Sequence, residues 1–302
     1  MLESKFGGVS IETAENLEQE KGKNVKVSAI FERHGEKEAS QITAETRLTE
    51  TGEMEGAEFG KKLPKRKNIK GYSSDTGSKP GDEGRTVKTT MLAVENSPTE
   101  IKSSKVRIRK ELGFYCDENT DFFRRMKQIN IDVSEMDFGD LLEEELDDRR
   151  LVEVRNQQAD YYLSFGENRP SPRTISPVEL AALMAKRIDA YINMVDRLNS
   201  GSDVQLINGT HDFNIVAFLK QAMILGRNKV GEPIKFEKIE EIGGGIGYNE
   251  YFEVLVETDG VGTKTIKLIF RGKEYELDTK RVGELLEIAD KFDYESVEEI
   301  KK

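Results

Sequence analysis

"AIFERHGEKEAS", Ala29 to Ser40, ends an apolar run in a charged cluster, and its reading decides the fold. The run starts upstream at "VKVSAIF" (Val25 to Phe31), short and β-branched, as expected of a strand buried within a sheet. The chain of 302 residues has only two histidines, His34 and His211, and each follows such a run. "AIF" leads into "ERHGE", and "VQLI" (Val204 to Ile207) leads into "NGTHD". A third run, "IKGYSSD" (Ile69 to Asp75), passes through the turn-rich "TGSKPGDEG" to Arg85. Arg85 opens a helix with Val87, Thr90, Met91 and Val94 at i, i+3, i+4, i+7 spacing. Strands alternating with helices predict an α/β sheet. Ligands of such sheets bind outside the carboxyl ends of the strands, where the three polar clusters are expected to converge.

The remaining elements fit that frame. "LTETGEMEGAEFGKKL" carries a Thr cap and helix formers, and "KVRIRKEL" is a candidate third strand. From about Tyr115 to Asn199 the sequence is helical and acidic, interrupted by "FGENRPSPRTISP". Its last helix has Ser176 as N-cap, Pro177 at the first position, Gly201 beyond the end, and an apolar stripe from Leu180 to Leu198. "FNIVAFLKQAMIL" is amphipathic, "YFEVLVE", "TIKLIF" and "EYELD" alternate as strands, and a final helix is expected from Arg281 to Phe292. The expected organisation is a flexible lead-in over 1–24, an α/β core over 25–114 and 201–302, and a helical insertion over 115–200.

A formal charge of −11 and a pI near 5.1 argue against a nucleic-acid partner, because phosphate backbones attract basic surfaces. Any anion site must then be a focused cluster. The single cysteine, Cys116, allows no intramolecular disulfide and fits a reducing compartment. No stretch approaches the ~18 continuous apolar residues of a membrane span, and two histidines with one cysteine leave little for a zinc site. The expectation is a soluble cytoplasmic protein with no metal or cofactor, no nucleic-acid or membrane partner, and an open oligomeric state.

Together the clusters offer Arg33, His34, Arg85, His211 and Asp212. Two arginines and two histidines around one point form an anion trap, and His211 stands at an expected helix N-terminus, whose dipole favours negative charge. Arginine suits phosphate because its planar fork pairs with two oxygens and stays charged. Such a set supports phosphoryl transfer without metal: one imidazole attacks phosphorus, cations hold the equatorial oxygens, and a carboxylic acid protonates the leaving alcohol.

At these residues the chain resembles the histidine phosphatase superfamily, the phosphoglycerate mutase and acid phosphatase group. The resemblance rests on "RHGE" after a strand, "LTETG", "SSD…GRT", and "THD" before a helix, in the family's order. It implies a three-layer α/β/α phosphoglycerate mutase-like core with a mixed, mostly parallel sheet, a helical cap insertion and a β-rich C-terminal extension. It places the nucleophile on His34 and the phosphate contacts on Arg33, Arg85 and His211. The proton donor falls on Asp212 by the phytase-like pattern or on Glu111 by the mutase-like one, with Asp212 favoured. A phytase-type chain would have arginine at Lys37 and proline at Ala39. The implied activity is a metal-independent phosphomonoester hydrolase forming a phosphohistidine and acting on a small phosphorylated substrate or a phosphoprotein. A phosphomutase and a catalytically silent phospho-ligand-binding protein are the alternatives.

Plainer readings stand beside these. Lys37 reads as a surface lysine or as an anion ligand, and Asp212 can simply cap its helix. "IGGGIG" (Ile242 to Gly247) lacks the Lys-Ser/Thr of a P-loop and is expected to be a flexible turn. "LLEEELDDRR" is a solvated helix face, and Tyr161 and Tyr162 belong to a core. The acidic insertion disfavours a highly phosphorylated substrate unless Arg124, Arg125, Lys127, Arg169 or Arg173 faces inward.

Overall fold

The computed structural model describes residues 20–38, 47–74, 84–139 and 142–297. Most of the expected lead-in, Ala39, and the "TGSKPGDEG" loop up to residue 83 lie outside the described residues.

The strands are β1 (Lys26–Arg33), β2 (Asn68–Ser73), β3 (Ile101–Lys102), β4 (Arg107–Ile108), β5 (Asp203–Thr210), β6 (Met223–Ile224), β7 (Gly226–Arg227), β8 (Pro233–Ile234), β9 (Tyr251–Thr258), β10 (Lys264–Phe270) and β11 (Lys273–Leu277). The helices are α1 (Glu50–Lys62), α2 (Arg85–Asn96), α3 (Asp121–Ser134), α4 (Glu143–Leu163), α5 (Pro177–Ile192), α6 (Asp212–Ala222) and α7 (Thr279–Lys291). One mixed sheet runs β3-β2-β5-β1-β9-β10-β11-β6, with β4 also pairing β2. From β3 to β1 the pairings are parallel, and from β1 to β6 they are antiparallel. The C-terminal strands thus continue the same sheet and put β9 directly beside β1.

Alternation along the strands builds the three layers. Ile30, Ile69 and Ile207 face one side, where Leu63 of the α1 end and Ala93 and Val94 of α2 cover them. Ala29, Phe31 and Leu206 face the other, under α5, α6 and α7. With both faces covered, β1 is buried from Val27 to Arg33, which explains its unbroken apolar run.

Several boundaries differ from expectation. "KVRIRKEL" pairs only through Arg107 and Ile108, and Lys110–Leu112 coil into a 3-10 turn. The helix begun at Pro177 ends at Ile192, and its stripe continues through a separate turn, Val195–Arg197, where Val195 is buried. Met223 and Ile224 leave α6 to pair with β11, because the sheet edge offers them backbone partners. The helical segment is also divided by packing. α3 and α4 pack on each other, whereas α5 lies in the layer with α6 and α7. Glu143, Glu145, Asp147 and Asp148 at the start of α4 are exposed, and Tyr162 is fully buried with its hydroxyl donating to the Ile175 carbonyl oxygen. Among the described residues no helix is long and apolar enough to cross a membrane.

Candidate active site

Parallel pairing of β1 with β5 sets Arg33 opposite Thr210, so the two histidines leave adjacent strands at the same height. The His34 N–H donates to the Thr210 carbonyl oxygen at 3.1 Å, locking the exits together. Their rings lie 5.5 Å apart, edge to face. A cavity of about 430 Å³ opens here, lined at this end by Arg33, His34, Glu36, Lys37, Arg85, Arg155, His211, Asp212 and Tyr248.

The His34 ring has one assignable tautomer. Nδ1 lies 2.8 Å from the Gly35 carbonyl oxygen, which can only accept, so Nδ1 carries the proton and Nε2 keeps its lone pair. Burial, then Arg85, His211 and Arg33, push the His34 pKa well below the ordinary histidine value. Burial and Arg85 lower His211 to about 3, and its Nε2 lies 3.5 Å from the Ser74 hydroxyl. Both imidazoles are therefore neutral near pH 7.

Arg33 is 7% exposed and held from three directions. Nη1 donates to the Ile246 carbonyl oxygen, Nη2 pairs with Asp212 at 3.1 Å, and the guanidinium sits 4.5 Å from the centre of the Tyr248 ring. Arg85 opens α2 after Gly84, and Lys37 and Arg85 both line the cavity. Burial and Arg85 lower the Lys37 ammonium to about 8. Asp212 is the first residue of α6 and accepts from the Phe213 N–H at 2.9 Å. Burial acts to raise its carboxyl, but Arg33, His211, the Phe213 N–H and Lys37 outweigh it and hold it below the usual carboxylate range.

Glu111 lies in the 3-10 turn before the cavity and is not among its lining residues. Nor is any of Arg124, Arg125, Lys127, Arg169 and Arg173. Cys116 does line the cavity, but burial pushes its thiol up to about 12, so it stays protonated and a poor nucleophile. Among the described residues no group of three or more His, Cys, Asp or Glu side chains could hold a metal ion.

The glycines explain motifs that the spacing alone left open. Gly35 makes room for α1: a Cβ there would lie 2.8 Å from the Gly52 carbonyl oxygen. One on Gly52 would lie 2.3 Å from the Glu36 carbonyl oxygen. Thr49 seals the contact, accepting from the Gly52 N–H and donating to the Glu36 carboxylate at 2.8 Å. Thr89 links the same loop to α2, accepting from the Gly35 N–H and donating to the Arg85 carbonyl oxygen.

Two lining residues had no local signal. Arg155 comes from α4, and its guanidinium lies 5.1 Å from the Tyr248 ring on which Arg33 also rests. Burial and Arg33 lower its pKa. Tyr248 follows the glycine run, which is pinned rather than flexible. Arg271 donates to the carbonyl oxygens of Ile242, Gly244 and Gly245, and the Gly245 N–H donates to Asn156. A Cβ on Gly245 would lie 2.8 Å from the Arg155 Cβ, so α4 can approach only a bare backbone.

Fold and site together describe an α/β protein with a buried, cationic, two-histidine pocket at the carboxyl edge of its parallel strands. No protein-family model matches the sequence, and no curated protein matches it. Among solved structures the chain is similar to a mycobacterial hydrolase, at 14% identity over 82% of this chain and 99% of that one, TM-score 0.47. It is also similar to a mycobacterial glucosyl-3-phosphoglycerate phosphatase, at 16% identity over 80% and 97%, TM-score 0.44. A phosphoglycerate mutase from Thermus thermophilus is similar at 16% identity over 75% and 92%, TM-score 0.36.

Proposed function

We propose that the chain is a phosphomonoester hydrolase that works through a phosphohistidine on His34. The observation that carries this is the His34 imidazole, neutral with its proton on Nδ1, beside a second neutral imidazole in a pocket shared by three guanidinium groups. A neutral imidazole keeps a nucleophilic lone pair, and three fixed cations attract a dianionic phosphoryl group.

Arg33, Arg85 and His211 bind the phosphoryl oxygens, and Arg155 and Lys37 add positive field. The His34 Nε2 lone pair attacks phosphorus as the ester P–O bond breaks. Asp212 gives its proton to the departing alkoxide. The Nδ1–H bond to Gly35 holds the ring through the charge it acquires. In the second half, the Asp212 carboxylate takes a proton from water, the resulting hydroxide attacks phosphorus, and the P–N bond breaks to restore His34. Arg33 keeps Asp212 ionised, and an incoming phosphate competes for that arginine and favours the protonated acid. Asp212 is preferred over Glu111 as donor because it lines the cavity beside Arg33.

Alkaline-quench labelling with a phosphomonoester tests the mechanism. A base-stable, acid-labile phosphoenzyme is expected in the wild type and absent in His34→Ala. A label that persists in that variant refutes it.

A further inference from the structure

The far end of the cavity differs from its histidine end. Phe122, Phe123 and Met126 of α3 and Leu151 and Val154 of α4 form its wall. Packing of α3 on α4 accounts for the buried phenylalanines, but Leu151 is 41% exposed and lines open space. The amides on this wall, Asn130 and Gln158, bond to each other at 3.2 Å, and Gln158 also donates to the Met126 carbonyl oxygen. They are occupied with one another.

Of the basic residues of this segment, Arg155 lines the cavity, whereas Arg124, Arg125, Lys127, Arg169 and Arg173 do not. Arg124 pairs with Asp121, Arg125 with Asp132 at 2.8 Å, and Arg169 with Glu179 at 2.7 Å. Lys127 sits over the Phe123 ring, and Arg173 is exposed. The cavity's cations are Arg33, Lys37, Arg85 and Arg155, which Coulombic coupling and the shared Tyr248 ring group at the histidine end. A second phosphate or carboxylate packed on this apolar wall would meet hydrocarbon with no counter-charge among the wall's described residues, which is strongly unfavourable.

We infer that the substrate is a monophosphate ester of an apolar alcohol, whose hydrocarbon or aromatic group packs between α3 and α4. This rests on the phosphohydrolase reading above and specifies its substrate class. The inner walls bind the ester group by excluding water, and the cations see a single phosphoryl group.

Two measurements test it. The first compares kcat/KM for hexyl phosphate and glycerol 3-phosphate, both esters of primary alcohols. Burial worth roughly three- to fourfold per methylene predicts a preference for hexyl of at least about tenfold. Leu151→Ser, a half-exposed position that tolerates a smaller side chain, should cut that preference about fivefold. Equal rates, a preference for glycerol 3-phosphate, or a ratio unmoved by Leu151→Ser overturns the inference and leaves the hydrolase reading standing. The second measures binding of hexylphosphonate and methylphosphonate by calorimetry and needs no turnover. If no phosphomonoester is hydrolysed, the hydrolase reading fails, and the apolar site is still decided here. Hexylphosphonate should bind at least about tenfold tighter, and equal affinity overturns the inference.

Discussion

The two ends of the cavity are built from different parts of the chain by different means. The histidine end stands on β1, β5 and the first turns of α2 and α6, with its backbone locked by the Gly35–Gly52 contact. The α3–α4 end takes its shape from side-chain packing between two helices. The first end can position a nucleophile because hydrogen-bonded strand ends hold their geometry. The second can accept varied hydrocarbon because apolar contact is non-directional. On the proposed reading, chemistry falls to the end built on strand exits and selection to the end built on helix packing.

The largest effect that would break this division is loss of the proposed nucleophile. His34→Ala should lower kcat by at least about 10³-fold, with the phosphonate affinities keeping their hexyl-over-methyl ratio. If that ratio collapses as well, the two ends are not separable. Next, Asp212→Asn should lower turnover of an alkyl phosphate by about 10²- to 10³-fold, measured at steady state, while Glu111→Gln stays near wild type. The opposite ranking would move the donor role to Glu111. Asp212 also sets a pH dependence. Its carboxyl lies below the usual range, so its protonated fraction grows as pH falls, and kcat/KM should rise from pH 7 toward pH 5.

Arg155 sharpens the boundary, since it belongs to α4 by chain and to the histidine end by contact. Arg155→Leu should weaken inorganic phosphate inhibition by about tenfold, as expected of a lost charged hydrogen-bonding partner. It should leave the hexyl preference in place.

The smallest effect is on stability. His34 and His211 have folded pKa values below the unfolded value of about 6.5, so below that pH the unfolded chain binds more protons. Stability present at pH 7 is then lost on acidification, by about 1 kcal/mol per pH unit for each histidine down to the folded values. Denaturant titrations at pH 7 and 5.5 would show it, and a double variant with both histidines replaced by Gln should flatten the slope.

Much of the histidine end was legible because its signals are local. A short apolar run followed by "RHGE" or "GTHD" places the residue types at a strand exit, and parallel pairing does the rest. The caps of α1 and α5 are where Thr49 and Ser176 indicate, each accepting from a backbone N–H three residues on. The α5 end was not legible, because its apolar stripe continues unbroken from helix into the Val195–Arg197 turn. "KVRIRKEL" misleads similarly, since alternation cannot reveal that only Arg107 and Ile108 form a ladder with β2 before the chain coils at Lys110.

The order of elements, the α/β class and the polar clusters at the strand ends follow from the pattern along the chain, because strand and helix periodicities are properties of neighbours. Arg155, Tyr248 and the pinned glycine turn entered the site only through the fold. Antiparallel β9 beside β1 and α4 against bare glycine backbone join residues about 90 or more positions apart. The inward or outward direction of each arginine on α3 was likewise decided by packing, because a helix presents every face to some surroundings and only the tertiary structure says which face meets the cavity.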